Sequence, residues 1–303
     1  KTAATELRGS RAGCAALASG ARPGTVDRGC RPSRGPMRVS VVPVLADNYA
    51  YLLIDDATKQ AAAVDPAEAH LVIRRAEEEG VQLVAILTTH HHSDHAGGNV
   101  EMTQKVPGIK VYGGRLDNVS ACTDPLDHGD LLTIGSIQVK ALHTPGHTRG
   151  SISFYCTQAE ALAEQAPRPD ADPLQGCVFT GDTLFVGGCG RVFECTPADL
   201  YNSLANVLGK LPELTEVYVG HEYTVKNLEF ASHVEASNEK LQTMLQWARE
   251  QKVQRKFTVP STLRNEYLVN PFLRAGEDSM RSICPGCSPV DVFTRLRKQK
   301  DNF

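Results

Sequence analysis

Thr88-Thr89-His90-His91-His92-Ser93-Asp94-His95 follows directly on Gly80 and a nearly unbroken apolar run over residues 81–88. Such a run, rich in branched side chains and opened by a glycine, reads as a strand buried on both faces. The histidines after it therefore leave a rigid strand end and enter a loop, the usual place for a site. In extended backbone, residues two apart face the same way, so His90 and His92 can grip one ion while His91 points elsewhere. Asp94 and His95, at the turn that ends the segment, fall on the other side and can serve a second ion. A lone histidine is more often a core or idle residue, which is the reading for His70, His128, His143 and His233. Three histidines and an aspartate packed as His-x-His-x-Asp-His are not explained that way, and the cluster predicts metal binding.

Four side chains cannot satisfy two ions, so further ligands must come from distant sequence. Three segments share one form, a strand-like run followed by a glycine-containing turn and a ligand-type residue. They are Thr144-Pro145-Gly146-His147, Phe179-Thr180-Gly181-Asp182 and Val217-Tyr218-Val219-Gly220-His221. An α/β fold assembles a site from remote strand ends in this way. Five histidines and two aspartates suit two divalent ions, zinc first, with iron or manganese also compatible with the ligand types.

Outward from the cluster, strand-like runs at residues 39–45, 51–54, 61–64, 109–112, 137–142, 152–155, 178–180 and 217–219 alternate with helical stretches at 67–79, 99–105 and 197–208. That alternation predicts a layered α/β domain. A polar stretch at 157–176 reads as a mobile surface insertion, and from residue 221 the spacing turns helical, giving a small α-helical domain. The expected organisation is a leader at 1–36, a catalytic domain at 37–220 and a helical substrate-binding domain at 221–303. The leader is rich in arginine and poor in acid, like a mitochondrial transit peptide, and Met37 stands just before the first strand. The expectation is initiation at two starts, with one product in the mitochondrial matrix and one in the cytoplasm.

The 303 residues carry a net charge of −3, so no global field favours nucleic acid. No apolar stretch approaches the roughly 18 residues of a membrane span, and a monomer without nucleic-acid or membrane partners is expected. Nine cysteines at irregular spacing argue against a disulfide framework and for reduced thiols. Only Cys284-Pro-Gly-Cys287 has a metal or redox spacing.

These segments closely resemble the metallo-β-lactamase superfamily, and within it the glyoxalase II (hydroxyacylglutathione hydrolase) family, from Met37 to Phe303. Besides the histidine loop, the resemblance rests on Gly181-Asp182-Thr183-Leu184-Phe185, Gly188-Cys189-Gly190-Arg191, Gly220-His221-Glu222-Tyr223-Thr224, Pro260-Ser261-Thr262-Leu263 and Asn270-Pro271-Phe272-Leu273-Arg274. It implies an αββα sandwich with a small C-terminal α-helical domain. It also implies that His90, His92 and His147 hold one ion, that Asp94, His95 and His221 hold the other, and that Asp182 bridges them.

The family's glutathione contacts fall on Arg191, Val192 and Phe193, on His221, Glu222 and Tyr223, and on Arg297, Lys298, Gln299 and Lys300. Glutathione has two carboxylates, and Arg191, Arg297 and Lys300 are donors suited to them. Ser93 stands where the family commonly has an aromatic residue, and Phe193 where it usually has a tyrosine.

The implied reaction is hydrolysis of S-(2-hydroxyacyl)glutathione thioesters, with a hydroxide shared by two ions as nucleophile and Asp94 and Asp182 as the catalytic carboxylates. Two rivals remain: a glutathione persulfide dioxygenase of the same superfamily, with a single iron, and a non-catalytic binding relative. The helical domain and the complete ligand set speak against both.

Overall fold

The computed structural model of the protein describes residues 37–158 and 176–303. The leader at 1–36 and most of the predicted 157–176 insertion lie outside the described residues.

The strand that leads into the histidines, β4 (Gln82–Leu87), lies inside a six-stranded sheet with β1 (Met37–Val44), β2 (Asn48–Asp55), β3 (Gln60–Val64), β5 (Lys110–Gly114) and β6 (Asp124–Leu126), in the order 1-2-3-4-5-6. β1 to β3 are antiparallel, and β3 to β6 run parallel. Between β3 and β4 lies α1 (Ala69–Glu79), ended by Gly80 in the left-handed conformation with φ 65°, as a glycine just past a helix provides. α2 (Ser93–Ala96) and α3 (Asn99–Lys105) follow β4.

The alternation of β2 explains the layers. Tyr49, Tyr51 and Leu53 face a core shared with the second sheet, while Ala50, Leu52 and Ile54 face a second core with Ala69, Val72 and Ala76 of α1 and Met102 of α3. Every residue of β2 is buried, which is why such strands read as continuous apolar runs rather than as alternating ones. Burying a large side chain of this kind stabilises by about 1.5–3 kcal/mol.

The second sheet contains β7 (Leu131–Ile134), β8 (Ile137–His143), β9 (Ile152–Gln158), β10 (Cys177–Phe179), β13 (Glu216–Tyr218) and β14 (Ser261–Thr262), in the order 14-13-10-9-8-7. β11 (Leu184–Phe185) and β12 (Gly188–Cys189) form a small hairpin. β9 runs on through Gln158, so the chain is still strand where the insertion was expected to begin.

α4 (Pro197–Asn202) widens into a π turn and then a 3-10 turn ending at Lys210, where the sequence suggested one regular helix. Ser203 Oγ donates to the Pro145 carbonyl at the widened turn. Leu200, Leu204 and Leu208 nevertheless remain fully buried, which is the period the sequence displayed.

The C-terminal region is helical: α5 (Thr224–Val234), α6 (Glu239–Val253), α7 (Leu263–Val269) and α8 (Pro289–Asp301). The helical region expected from residue 221 opens with two separate helices, and Asn238 caps the second by accepting from Leu241 N. Thr196-Pro-Ala-Asp199 and Ser288-Pro-Val-Asp291 open α4 and α8 by one device, a capping box with proline at the first helical position. Each cap is worth about 1 kcal/mol.

These helices are tied to the sandwich. β14 pairs with β13, and Phe230, Phe272, Phe293 and Leu296 join the core between the sheets. The expectation that all cysteines are reduced needs one correction, because Cys284 and Cys287 form a disulfide. The Pro285-Gly286 turn, with Gly286 at φ 77°, brings their Cα atoms to 5.4 Å, inside the usual disulfide range. The bond closes a local loop.

Candidate metal centre

All seven predicted ligands meet at one edge of the sandwich, where strands from both sheets end. His90 follows β4 by three residues, His147 follows β8, Asp182 follows β10 and His221 follows β13. The sheets are tied there by Tyr49 N donating to the Gly220 carbonyl and by a bridge between Asn48 and His221. Asp94 and His95 sit on α2, the single helical turn that ends the segment. A helical turn places both side chains beside the loop from which His90 and His92 reach inward.

The ligand atoms fall into overlapping groups, each within 4.8 Å: His90, His92 and His147; Asp94, His95 and His221; and His90, His95 and Asp182. In the first, His92 Nδ1 lies 3.1 Å from both His90 Nε2 and His147 Nε2. In the second, Asp94 Oδ2 lies 3.3 Å from His221 Nε2 and 3.7 Å from His95 Nε2. Asp182 touches both sides, with Oδ1 3.3 Å from His95 Nε2 and Oδ2 3.4 and 3.5 Å from His221 and His147. His91 points away, toward Asp117 and Glu194, as alternation along an extended segment predicts.

The site fits divalent cations. His95 Nε2 and Asp182 Oδ1 are buried, and neither has a hydrogen-bond partner. Orphaned buried polar atoms are costly and rare, and two that face each other across a histidine cluster are explained by a cation between them.

Three of the five histidines are also held on their far sides. His95 Nδ1 donates to Asp65 at 2.9 Å, His221 Nδ1 to Asp47 at 3.0 Å, and His147 Nδ1 to the Arg191 carbonyl at 3.0 Å. That fixes the tautomer and frees Nε2 for metal. Asp65 also accepts from Thr89 N and Oγ1, and Asn48 Nδ2 donates to Asp94. Buried Asp117 accepts from His91 N, Thr148 Oγ1 and Gly150 N, tying the loop that carries His90 and His92 to the loop that carries His147. The sequence reading missed Asp47, Asn48, Asp65 and Asp117. Asp65 carried a usable signal, since it leaves the end of β3 as the ligands leave theirs.

Two glycines permit this closeness. Gly181 is left-handed, with φ 47°, and a Cβ there would stand 2.3 Å from Thr89 Oγ1. A Cβ on Gly220 would meet Asp182 Oδ1 at 2.4 Å.

The two halves differ electrostatically. Burial, reinforced for His90 and His92 by neighbouring imidazoles, pushes His90, His92 and His147 below the usual histidine range. Neutral imidazole is the form that ligates metal. For His95 burial is outweighed by Asp182 and Asp65, and its pKa is raised. Burial of His221 is likewise outweighed by Asp182, Asp94 and Asp47, which push it up to about 10. Its hydrogen bond holds the Asp94 carboxyl well below the usual range. Burial of Asp182 is outweighed by His95 and His221, so it too stays ionised.

The predicted substrate residues separate into several roles. Arg191 is exposed, with Nε 3.6 Å from Asp301. Phe193 is 60% exposed with its ring 5.0 Å from that of His147, and Tyr223 stacks on His221 at 4.7 Å and 8°. Val192 packs against the core. Glu222 is engaged by the Tyr49 hydroxyl and by Thr258 N and Oγ1.

Arg297 is buried, not solvent-facing, and donates to the Cys189 carbonyl at 2.8 Å and to Asp301. Its Nε has no partner. Lys300 leans over the Phe230 ring and donates to the Lys226 carbonyl. Lys298 and Gln299 are exposed. The helical period puts residues three and four apart on one face, so these two leave the face that carries Arg297 and Lys300.

Comparison with known proteins adds to this geometry. Residues 222–303 match the model described as hydroxyacylglutathione hydrolase C-terminus, and residues 44–163 match that of the metallo-beta-lactamase superfamily. A protein of Arabidopsis thaliana named hydroxyacylglutathione hydrolase cytoplasmic is 48% identical over 268 residues, covering 88% of this chain and 99% of that one. A hydroxyacylglutathione hydrolase-like protein of Gallus gallus is 43% identical, covering 88% and 90%. Among solved structures, ETHE1 from Myxococcus xanthus superimposes with a TM-score of 0.57 at 24% identity, covering 87% of this chain and 97% of that one, and shows the fold alone. Among the described residues no helix is long and apolar enough to cross a membrane.

Proposed function

This chain belongs to the hydroxyacylglutathione hydrolase family of the metallo-β-lactamase superfamily, and from that premise we propose that it hydrolyses S-(2-hydroxyacyl)glutathione thioesters. The model substrate is S-D-lactoylglutathione, giving D-lactate and glutathione, the second step of methylglyoxal detoxification. The observation that carries the reading is Asp182, within 3.5 Å of ligand nitrogens on both sides of the site, in a chain whose last 82 residues match the family's own C-terminal region.

His90, His92 and His147 would hold one divalent ion, Asp94, His95 and His221 the second, with Asp182 shared. We assign zinc first, with iron or manganese permitted by the same ligands. When bound, such a pair supplies a hydroxide nucleophile at neutral pH and polarises a carbonyl.

The protein's own residues do the rest. Asp94, its carboxylate fixed by Asn48 and His221, accepts a proton-bearing partner in one orientation and aims the nucleophile. Hydrolysis joins a hydroxide oxygen to the acyl carbon and breaks the C–S bond, the electron pair leaving on the glutathione sulfur. A thiolate leaves readily, so no strong general acid is needed. Tyr223 and Phe193 supply ring walls on either side of the cleft. Arg191 and Lys300 offer their charges to the glutathione carboxylates, while Arg297 holds the Cys189-Gly190 backbone that leads to Arg191.

The direct test is hydrolysis of S-lactoylglutathione by metal-loaded protein, abolished by a chelator and restored by zinc. Metal-loaded protein that leaves the thioester intact but consumes oxygen with glutathione persulfide would overturn it. For location, β1 begins at Met37, so a product initiated there keeps the whole first strand. We propose a cytoplasmic product from Met37 and a matrix product with the leader, both monomeric. Fractionation that finds one size in one compartment removes the proposal.

A further inference from the structure

A cavity of about 320 Å³ lies beside Asp47, Glu222 and Tyr223, and four cations line it: Lys226 of α5 and Lys252, Arg255 and Lys256 at the end of α6. It shares Glu222 and Tyr223 with the proposed thioester rim, while Arg191, Phe193, Arg297 and Lys300 do not line it. On α6, Arg249 pairs with Glu229 at 2.9 Å. Among the described residues none of the four makes an ion pair. The two acids in the cavity wall are already engaged, Asp47 by His221 and Glu222 by Thr258 and Tyr49.

The backbone adds an independent observation. Arg255 is left-handed, with φ 54°, in a helix-ending turn where its N–H donates to Lys252 and that of Lys256 to Gln251. Glycine or asparagine usually fills such a position at lower cost. A long cation stands there instead, and it and its neighbour Lys256 both line the cavity.

We propose that this cavity binds a small phosphate-bearing organic anion. A phosphomonoester carries nearly two negative charges and three acceptor oxygens, which match three ammonium donors and one guanidinium fork lining one cavity better than a single carboxylate does. The ring of Tyr223 and the side chain of Val225 form an apolar wall for the organic part. The volume sits at the small end of ligand pockets. Tyr223 has its ring on His221, so an occupant of this cavity also bears on the wall of the thioester site proposed above.

Phenyl phosphate titrated calorimetrically into the full-length, metal-loaded protein tests this without measuring hydrolysis, so its failure is separable from failure of the thioesterase reading. The expected result is saturable one-to-one binding that weakens roughly tenfold or more in Lys252→Gln/Arg255→Gln/Lys256→Gln and that fades with added salt. Thioester kinetics without phosphate stay unchanged in that variant. Arg255→Gly, which suits the left-handed turn and keeps the fold, weakens binding severalfold with no loss of thermal stability.

Equal affinity in the wild type and the triple variant would place the anion on the metal ions and overturn the proposal. No saturable binding would reduce the four cations to a solvated face. Binding to phosphatidylserine vesicles that the triple variant loses, with no response to phenyl phosphate, would assign the patch to a membrane surface instead.

Discussion

His147 and Phe193 stand with ring centroids 5.0 Å apart, yet one is 5% exposed and the other 60%. His147 leaves a strand end, is held at Nδ1 by a backbone carbonyl, and points Nε2 at His92 and Asp182. Phe193 stands on a loop between β12 and α4, and its ring touches the site from outside. The same contrast separates the proposed metal bank from Arg191 and Phe193 of the proposed substrate rim, with buried Arg297 the exception. Ligands that must meet an ion to within a few tenths of an ångström are fixed by a second layer of carboxylates. Residues that receive a flexible tripeptide are left partly free. Substitutions on the bank should therefore act on metal content and rate, and substitutions on the rim on KM.

The largest effect is expected for Asp182→Asn. The change keeps the shape and removes the charge that three imidazoles share. We expect kcat/KM for S-lactoylglutathione to fall by roughly a thousandfold or more, about 4 kcal/mol of transition-state stabilisation. Steady-state kinetics together with metal analysis check it, and a variant with both metals and full rate breaks the division between bank and rim. Asp65→Asn comes next. Asp65 orients His95 and the Thr89 backbone without touching the cleft, and such supporting groups carry about 10- to 100-fold in metal affinity or activity. A fall in metal occupancy with KM unchanged sharpens the comparison, whereas a rise in KM alone would move Asp65 to the rim.

The bank was legible in the sequence because its logic is local: each ligand follows a buried strand within a few residues, and Gly181 and Gly220 stand where any side chain would strike the site. The two-layered sheet was legible in the same way from β2 and β4. What pairs with what was not, since the pairing of β10 with β13 and of β13 with β14 depends on contacts between distant segments. Asp117 and Asn48 were invisible, because a single polar residue in a turn or at the first position of a strand carries no periodicity. On the rim, family resemblance named Arg297 and Lys300, but only packing distinguishes them. Arg297 lies buried against Cys189 and over the Phe272 ring, while Lys298 and Gln299, adjacent in sequence, face solvent.

Lys300 gives a pH test of the rim. Burial first, then the charges of Arg297 and Lys226, push its ammonium down to about 8. A lowered lysine pKa means the charge is present below that value and lost above it. Its attraction for a glutathione carboxylate is thus present at neutral pH and disappears as pH rises through about 8. We expect KM for the thioester to rise severalfold between roughly pH 7 and pH 9, with that dependence absent in Lys300→Met. If Lys300→Met keeps the same KM profile, the charge on Lys300 does not read the substrate.

The smallest effect is expected for Phe193→Tyr, which restores the hydroxyl common in the family. The ring already has its place beside His147 and His92, and a position this exposed accepts one more oxygen without repacking. A hydrogen bond from that hydroxyl to the tripeptide would be worth about 0.5–1.5 kcal/mol. Exposure to water favours the low end, so KM should fall by roughly two- to threefold with kcat and metal content unchanged. A fall in kcat would mean that the hydroxyl reaches the metal bank. In that case phenylalanine at position 193 keeps an oxygen away from the ions, and the division between bank and rim runs through residue 193 itself.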